Sequence, residues 1–267
     1  MRGTDNGLTN SVIIFCFKRL LVNLERLISV CFFRLRKNMS QIEKFAAIYT
    51  RAAERKGGDA GLEALLPSGL SDQELTQYSD AQLLSEISKK VFQSGFVWRI
   101  VEAKWPEYEK AFFGFEPFKV LMLSPEQLQE RASDPKLIRH LKKTMAIYDN
   151  AHMVNDIARE HGSLAKFIAD WPSEDITGLW ALLKRKGVRL GGNTGPYFLR
   201  SMGKDTFLLT NDVQGYLKSH GLVDYGFSSK AGMKQVQEVF NHWQQESGRS
   251  LADISRVLAC SVGDNRI

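Results

Sequence analysis

Hydrophobic residues recur with a helical period along most of this chain. Ile42, Phe45, Ile48, Tyr49 and Ala52 follow the spacing that places apolar side chains on one face of a helix. No segment shows the sustained alternation of apolar and polar residues that a half-buried strand requires. The chain is therefore predicted to be all-α, with helices over residues 41–55, 79–90, 98–113, 137–158, 175–186, 196–202, 212–220, 230–246 and 251–259, and shorter ones starting at Ser124 and Ser163.

Several helix ends are indicated by single residues. Ser79 is a good N-cap for the helix that follows it, and Ser124 followed by Pro125 is a pairing that favours a helix start. Gly95 is expected to break the helix that Ser79 begins, and Pro106 to kink or divide the next one.

Positive charge is concentrated at the start of the chain. The formal net charge is +6, but residues 1–38 hold seven Lys or Arg and two Asp or Glu, so they account for +5 of it. A nearly neutral body attracts a polyanion only through local basic patches. Because Met39 begins a conventional protein start, we expect residues 1–38 to be an extension that is not native, and residues 39–267 to form the domain.

The sequence gives little support for a membrane, disulfide or metal-binding protein. Two apolar runs, at residues 12–17 and 28–33, fall short of the ~18 residues that span a bilayer. Cys16, Cys31 and Cys260 match neither a zinc signature nor a disulfide framework. We therefore expect no membrane association, no metal ion, and a reducing, cytoplasmic location.

A glycine-rich stretch from Lys184 to Tyr197 separates two predicted helices. Glycine lets a backbone approach a ligand closely, and N–H groups at the start of a helix bind phosphate. Val188 and Leu190 can pin the turn to the core. The stretch fits a clamp for the DNA backbone and fits equally a plain helix–loop–helix with a solvated basic end. The predicted DNA-binding residues are Lys184, Lys186, Gly187, Arg189, Gly191, Gly192, Asn193, Thr194 and Gly195.

Three segments share their order and spacing with one known family. The first ends Phe92-Gln-Ser-Gly-Phe-Val-Trp98, the second is Leu137-Ile-Arg-His with Lys143 and Asn150-Ala151 downstream, and the third runs from Lys186 to Phe198. They resemble a Gln-x-Gly-Leu-x-Trp signature, an Ile-Ile-Arg-(His/Asn) helix and the hairpin of the 3-methyladenine DNA glycosylase I family. That family is a branch of the helix-hairpin-helix DNA glycosylases. The resemblance covers residues 79–213, about half the chain.

The resemblance implies two helical lobes with a base pocket between them, and base excision as the reaction. The N-glycosidic bond of an alkylated adenine, 3-methyladenine, would be hydrolysed after the nucleotide rotates out of the duplex into the pocket. The implied partner is double-stranded DNA with an alkylated base, bound by a monomer. Because hydrolysis of this bond needs only water, no cofactor is expected.

The implied base pocket centres on Trp98. An alkylated adenine is cationic in the nucleotide, and the face of an indole attracts a cation by about 1–2 kcal/mol. The alternative is that Trp98 is a core tryptophan. The other predicted substrate-binding residues are Gln93, Phe96, Lys90 and Tyr197, although simple packing explains Tyr197 equally well.

Three features depart from the family pattern. Lys90 stands where the family has a pocket carboxylate, and a lysine would repel a cationic base. The family's zinc site of two Cys and two His is missing, since Val213 stands where one His is expected. The family's Tyr-His-Asp element has only a loose candidate in Tyr49, which Thr50 follows.

Two carboxylates, Asp212 and Glu86, are the predicted catalytic residues. Asp212 lies in a tract that looks like the superfamily segment with a catalytic aspartate, although strict alignment puts that aspartate at Thr210. The alternative is that Asn211 and Asp212 cap the following helix. Glu86 and Glu102 can each replace the missing pocket carboxylate, or they can be ordinary surface charges.

These observations leave three functional hypotheses. The first is a zinc-free glycosylase for alkylated adenine. The second is a DNA-binding relative that recognises damage without hydrolysis, with Lys90 as the sign of that loss. The third is a glycosylase for a neutral lesion, to which Lys90 would donate a hydrogen bond. A membrane role would rest on residues 1–38 alone and ranks last.

Overall fold

Helices account for all the regular structure in residues 42–263, which are the residues that the computed structural model describes. Fourteen α-helices and two 3₁₀ helices occur in this range, and no strand does. The predicted all-α class is confirmed. In chain order the α-helices are α1 (Phe45–Arg55), α2 (Asp59–Glu63), α3 (Asp72–Leu75), α4 (Asp80–Gln93), α5 (Trp98–Ala111), α6 (Pro117–Leu121), α7 (Pro125–Ser133), α8 (Leu141–His161), α9 (Leu164–Ala169), α10 (Ile176–Lys186), α11 (Thr194–Ser201), α12 (Asn211–Ser219), α13 (Lys230–Ser247) and α14 (Leu251–Ser261).

The N-terminal extension proposed from the sequence, residues 1–38, lies outside the described residues, together with Cys16 and Cys31. From Lys44 onward the described residues belong to one compact unit. The boundary at Met39 therefore stays a prediction.

Serine side chains begin several of these helices, as the sequence predicted. Ser79 accepts a hydrogen bond from the N–H of Gln82, whose side chain accepts one from the N–H of Ser79 in return. Ser124 and Gln127 form the same reciprocal capping box at the start of α7. A cap of this kind stabilises a helix by about 1 kcal/mol, so these starts are locally determined.

The long helix α8 lies at the centre of the packing. It packs against α4, α6, α7 and α9, while α14 packs against α1. The short helix α11, which follows the glycine-rich stretch, packs against α4. The hairpin and the C-terminal end of α4 are thereby brought to the same part of the molecule.

Buried aromatic rings gather in two clusters. In the first, the ring of Trp105 stacks on Tyr108 at 4.9 Å and on Phe115 at 5.4 Å. In the second, Phe207 stacks on Phe240 at 4.0 Å and meets Trp180 at 4.6 Å. One cluster lies among α4 and α5, and the other among α10, α13 and the segment before α12. Two apolar cores of this kind agree with the two helical lobes that the resemblance implied.

The predicted start of the long helix α8 is wrong. The sequence predicted a helix from Leu137, but α8 begins at Leu141. The hydroxyl of buried Tyr108 donates to the carbonyl of Ile138 and accepts from its N–H, and so holds this segment out of a helix. The His140 side chain then accepts a hydrogen bond from the N–H of Lys143 and caps α8.

Pro106 does not divide the helix in which it lies, because α5 is continuous from Trp98 to Ala111. Its ring is exposed, so the carbonyl that loses its partner can turn toward solvent. Three short helices, α2, α3 and α6, were not predicted. Helices of four or five residues are too short to show a period.

The described helices include none that is both long and apolar enough to cross a membrane. Among residues 42–263, no group of three or more His, Cys, Asp or Glu side chains is arranged to hold a metal ion.

Candidate nucleic-acid interface

The glycine-rich stretch forms a tight hairpin between α10 and α11. Gly187 ends α10, and α11 begins at Thr194. Leu190 is buried and holds the turn to the core, as predicted. Val188 does not, because its side chain is 37% exposed, so that part of the prediction is wrong. A different residue fixes the backbone at Val188.

That residue is Asn150 on α8, which is fully buried. Its side-chain amide donates to the carbonyl of Val188 at 3.1 Å, and its side-chain oxygen accepts from the N–H of Val188 at 2.8 Å. The backbone at Val188 is therefore fixed from α8, while its side chain faces solvent. The sequence named Asn150 only as part of the family resemblance and gave it no role.

Two hairpin glycines are required by close packing. A Cβ at Gly187 would lie 2.5 Å from Leu190 and 2.9 Å from both Met153 and the carbonyl oxygen of Leu183. A Cβ at Gly195 would lie 2.9 Å from the carbonyl oxygen of Leu190. The turn can therefore fold this tightly around Leu190 only with glycine at these positions.

Two other hairpin residues have left-handed backbone conformations. Gly192 has a φ of +60° and open space around it. Arg189 has a φ of +63°, which costs a residue with a side chain about 1–2 kcal/mol. Backbone strain of this kind persists where the surrounding structure fixes it, and here Asn150 and Leu190 fix the residues on either side.

The exposed side of the hairpin is basic. Lys184, Arg185, Lys186 and Arg189 are exposed, and Lys186 also lies 3.6 Å from the carboxylate of Glu160. Inside the turn, the side chain of Asn193 donates to the carbonyl of Leu209 and ties the hairpin to the segment before α12. Of the nine residues predicted to bind DNA, the lysines, the arginine and Gly192 are exposed, while Gly195 is buried and has a packing role.

The second part of the candidate site is the turn from Gln93 to Trp98, referred to below as the Trp98 turn. Helix α4 ends at Gln93, and Trp98 begins α5. The indole is 47% exposed, which excludes the core interpretation of Trp98. Its N–H donates to the carbonyl of Gln93 at 3.1 Å, and Tyr197 of α11 meets its ring edge-on at 5.8 Å. Two predicted substrate-binding residues from distant segments therefore lie together.

The ammonium of Lys90 lies over the Trp98 ring. Its nitrogen is 5.5 Å from the ring centroid, 2.9 Å from the carboxylate of Glu86 and 3.1 Å from the side-chain oxygen of Gln93. The amide of Gln93 in turn contacts Glu102 at 3.4 Å. Lys90 therefore places a positive charge on the indole, the position that a cationic base would use.

Glu86 is held as a carboxylate in this network. Burial raises the pKa of the Glu86 carboxyl, but the hydrogen bond from Lys90 and the charges of Lys90 and Lys89 outweigh it, so the pKa lies below its ordinary value. A carboxylate with a lowered pKa is a poor general acid, because it is rarely protonated near neutral pH.

Phe96 lies on the side of the Trp98 turn that packs against the protein. Its ring packs against Phe92 at 6.4 Å and edge-on against His140 at 5.9 Å. The buried ammonium of Lys143 lies 4.8 Å from the Phe96 centroid. These contacts hold the turn in place, and the assignment of Phe96 to base binding stays a prediction.

The second predicted catalytic residue lies at the start of α12. Thr210 accepts a hydrogen bond from the N–H of Val213 and is the cap, so the interpretation of Asn211 and Asp212 as capping residues is wrong. Asp212 occupies the first turn of α12, where a Cβ added to Gly263 would lie 2.8 Å from its carboxylate. It therefore lies beside the end of the described chain, and its catalytic role stays a prediction.

Two cavities lie near these features, and Trp98 lines neither. One, of about 660 Å³, is lined by Glu86, Lys89 and Ser85 on one face of α4 and by Glu109 of α5. There the Ser85 hydroxyl donates to Glu109 at 2.6 Å, a carboxylate that the sequence did not single out. The other, of about 1030 Å³, lies between α10, the hairpin and α13.

Comparison with known proteins supports the resemblance seen in the sequence. A model of the methyladenine glycosylase family matches residues 72–195, from α3 through the hairpin. A search of curated protein sequences gave no significant match.

Solved structures were also compared. A 3-methyladenine DNA glycosylase I from Staphylococcus aureus is 25% identical, with 54% of this chain and 84% of that chain covered and a TM-score of 0.44. Another 3-methyladenine DNA glycosylase I is 23% identical, with coverages of 47% and 79% and a TM-score of 0.41. An 8-oxoguanine glycosylase/lyase from Methanocaldococcus jannaschii, solved with DNA containing 8-oxoguanine, is 14% identical, with coverages of 79% and 95% and a TM-score of 0.44.

The family match includes the Trp98 turn, helix α8 with Asn150, and the hairpin as far as Gly195. These are the segments on which the sequence resemblance depends. The resemblance is therefore confirmed: residues 72–195 of this chain carry the sequence pattern of the methyladenine glycosylase family.

Proposed function

We propose that this protein is a DNA glycosylase that removes an alkylated base, 3-methyladenine in the first instance, from double-stranded DNA. The observation that carries the proposal is the family match, because it spans both the basic hairpin and the Trp98 turn. The protein would act as a monomer and hydrolyse the N-glycosidic bond after the base has left the duplex.

The hairpin supplies the grip on DNA. Exposed Lys184, Arg185 and Arg189 suit contacts with phosphates, and the close packing at Gly187 keeps the turn narrow. Contacts of this kind position a protein on a duplex without reading its sequence. Because the net charge of residues 39–267 is only +1, this local patch must supply most of the attraction.

The Trp98 turn supplies the surface for the extruded base. A half-exposed indole with Tyr197 at its edge offers a flat face on which a base can stack. Stacking of a base on an aromatic side chain contributes about 1–3 kcal/mol. Gln93, whose side chain contacts Lys90 and Glu102, is the proposed contact for the edge of the base.

The chemical step places modest demands on the protein. An alkylated adenine is positively charged in the nucleotide and is a good leaving group, so positioning and electrostatics supply most of the acceleration. Asp212 and Glu86 are the proposed carboxylates for the water and for the developing positive charge on the sugar. The lowered pKa of Glu86 suits stabilisation of a positive charge rather than proton donation.

A second candidate function has its own observation. The ammonium of Lys90 lies 5.5 Å from the Trp98 centroid, where it would repel a cationic base. This contact favours a relative that binds damaged DNA without hydrolysis, or one that acts on a neutral base to which Lys90 donates a hydrogen bond. Glu86 compensates part of that charge, because it lies 2.9 Å from the Lys90 nitrogen.

One assay separates these functions. Purified protein is incubated with methylated duplex DNA and, separately, with a duplex that contains a neutral lesion such as hypoxanthine, and the released bases are measured by chromatography. The proposal expects 3-methyladenine above the level of a no-protein control. Release of the neutral base alone supports the Lys90 hydrogen bond, and duplex binding without release of any base would rule out the glycosylase.

A further inference from the structure

Helix α8 contacts both parts of the candidate site through two buried polar side chains. We propose that Lys143 and Asn150 are positioning residues, in which Lys143 fixes the Trp98 turn and Asn150 fixes the hairpin. The proposal rests on the proposed function in one respect, namely that the hairpin binds DNA and the turn receives a base.

The side chain of Lys143 caps the C-terminal end of α4. Only 4% of the residue is exposed, and its ammonium donates to the carbonyl oxygens of Val91 at 2.8 Å and Phe92 at 3.1 Å. These carbonyls belong to the last turn of α4, where the helix dipole favours a positive charge. Lys143 shares them with the Ser94 hydroxyl, which donates to Val91, and with the Gly95 N–H, which donates to Phe92. The side chain therefore fixes the backbone from which the Trp98 turn begins.

The same ammonium contacts the turn itself. It lies 4.8 Å from the centroid of Phe96, and a Cβ at Gly95 would come within 3.1 Å of it. Two residues further on, the indole of Trp98 donates to the carbonyl of Gln93. The orientation of Trp98 thus depends on a turn that is held at its start and in its middle by one buried charge.

The charge on Lys143 also lies near the hairpin. Burial lowers the pKa of the Lys143 ammonium, and the positive charge of Arg189 lowers it further. A cation of the hairpin and the cation beneath the Trp98 turn therefore repel each other. Helix α8 contacts both parts of the site through side chains of its own.

Asn150 holds the hairpin by both of its polar atoms. The two hydrogen bonds to Val188, at 3.1 and 2.8 Å, engage the donor and the acceptor of a single residue. Fixing Val188 sets the path of the chain between Gly187, whose packing tolerates no side chain, and Arg189, whose backbone is left-handed.

The spacing of the two residues has a mechanical consequence. Seven residues are nearly two helical turns, so Lys143 and Asn150 lie on one face of α8, about 10 Å apart along its axis. A base that leaves the duplex remains joined to the phosphates of its own strand. The distance between the grip on those phosphates and the surface for the base therefore matters, and α8 sets that distance.

The test measures the two parts separately in Lys143→Met and Asn150→Asp. The first readout is the ¹⁵N–¹H resonance of the Trp98 indole, assigned with Trp98→Phe, and the second is the Kd for a fluorescein-labelled duplex. Lys143→Met should shift or broaden the indole resonance and leave the Kd within about twofold. Asn150→Asp keeps the size of the side chain but loses the donor to Val188, so it should weaken the Kd about three- to tenfold and leave the indole resonance in place.

A control and a second variant complete the experiment. Lys110→Met removes a lysine whose side chain is 73% exposed, and it should change neither readout. Asn150→Ala should speed hydrogen exchange at the Val188 amide, whereas Lys143→Met should not. If Asn150→Asp does not fold because it buries a charge, Asn150→Ala still gives the comparison for both readouts.

The outcomes distinguish this proposal from the proposed function. If the unmodified protein binds no duplex, the proposed function fails, while the indole resonance and the Val188 exchange rate still test the two positions. If both variants changed both readouts, the two residues would act only through the general packing of α8, and the proposal would be overturned. No change with either variant would overturn it as well.

Discussion

The hairpin and the Trp98 turn are built in different ways. The hairpin depends on backbone conformation, close glycine packing and exposed positive charge. The Trp98 turn depends on a chain of specific side-chain contacts from Glu86 through Lys90 to Gln93. Gripping a phosphate backbone needs charge and shape, and many residues can supply them. Recognising one base needs particular groups at particular distances, so under the proposed function a single residue such as Lys90 would change which base the site accepts.

The comparison also shows how charge is used in the two parts. The hairpin presents exposed cations to solvent, where a polyanion displaces counterions. At the Trp98 turn, by contrast, the positive charge of Lys90 is paired with Glu86 at 2.9 Å, and the ammonium lies over the ring of Trp98. The following predictions aim to separate the two parts, and they run from the largest expected effect to the smallest.

The largest effect is expected from Gly187→Ala in the hairpin. The new Cβ would meet Leu190 at 2.5 Å and the carbonyl oxygen of Leu183 at 2.9 Å, and overpacking of this kind costs about 1–3 kcal/mol. Gly192→Ala is the matched control, since it meets open space and costs only the left-handed strain of about 1–2 kcal/mol. Urea unfolding measures both variants, and a larger loss for Gly192→Ala would contradict the packing argument.

Trp98→Ala should abolish most base release without unfolding the protein. Loss of one stacking surface predicts a fall in turnover of about ten- to a hundredfold. Because the indole is 47% exposed, stability should change much less than for a core tryptophan. Single-turnover base release and thermal unfolding provide the test, and unchanged turnover would remove Trp98 from the site.

Lys90→Glu should change the preference of the Trp98 turn. A carboxylate at this position would attract a cationic base, so release of 3-methyladenine relative to a neutral lesion should rise about tenfold. The affinity for undamaged duplex should stay the same, because the Lys90 side chain is only 12% exposed and already pairs with Glu86. Lys90→Gln is the control without charge, and an equal response of both lesions to Lys90→Glu would refute the role of charge.

Arg189→Asn should change the salt dependence of duplex binding. Asparagine tolerates the left-handed backbone that Arg189 adopts, so the variant removes charge without adding strain. Removal of one phosphate contact should lower the slope of log K against log salt by about one. Titrations at several salt concentrations measure the slope, and an unchanged slope would exclude Arg189 from phosphate contact.

The smallest effect concerns the Glu86–Lys90 pair. The pKa of Glu86 is lower in the folded protein than in the unfolded chain. The pair therefore stabilises the protein at a pH above the unfolded-chain pKa of Glu86, and this contribution is lost as the pH falls through the folded-state pKa. Glu86→Gln should therefore cost about 0.5–1 kcal/mol at neutral pH. The difference from the unmodified protein should shrink on acidification below pH about 4. Urea unfolding across this pH range is the measurement, and a constant difference would contradict the assignment.

The sequence predicted those features that depend on residue type and local spacing. The all-α class, the caps at Ser79 and Ser124 and the location of the hairpin follow from periodicity, capping residues and glycine content. It could not predict the irregular segment before α8, because that segment depends on the hydroxyl of Tyr108, which lies thirty residues earlier in the chain.

The candidate site shows the same limit. The sequence could place Trp98 and Tyr197 in one pocket only through a family resemblance, because their segments meet by tertiary packing of α11 on α4. It predicted an inward Val188, but Asn150 fixes the backbone there and the side chain turns outward. Its alternative interpretation of Asn211 and Asp212 as caps of α12 is wrong, because the neighbouring Thr210 is the cap.

The central claim is that the hairpin binds the DNA backbone and the Trp98 turn recognises the base. The most direct test is the ratio of the affinities for damaged and undamaged duplex. The Kd is measured for an undamaged duplex and for one with a hydrolysis-resistant 3-methyladenine analogue, using the unmodified protein, Trp98→Ala and Arg189→Asn. Our account predicts that Trp98→Ala removes the preference for the analogue and leaves the undamaged Kd unchanged, while Arg189→Asn weakens both affinities by the same factor. Loss of affinity and of preference together in both variants would contradict it.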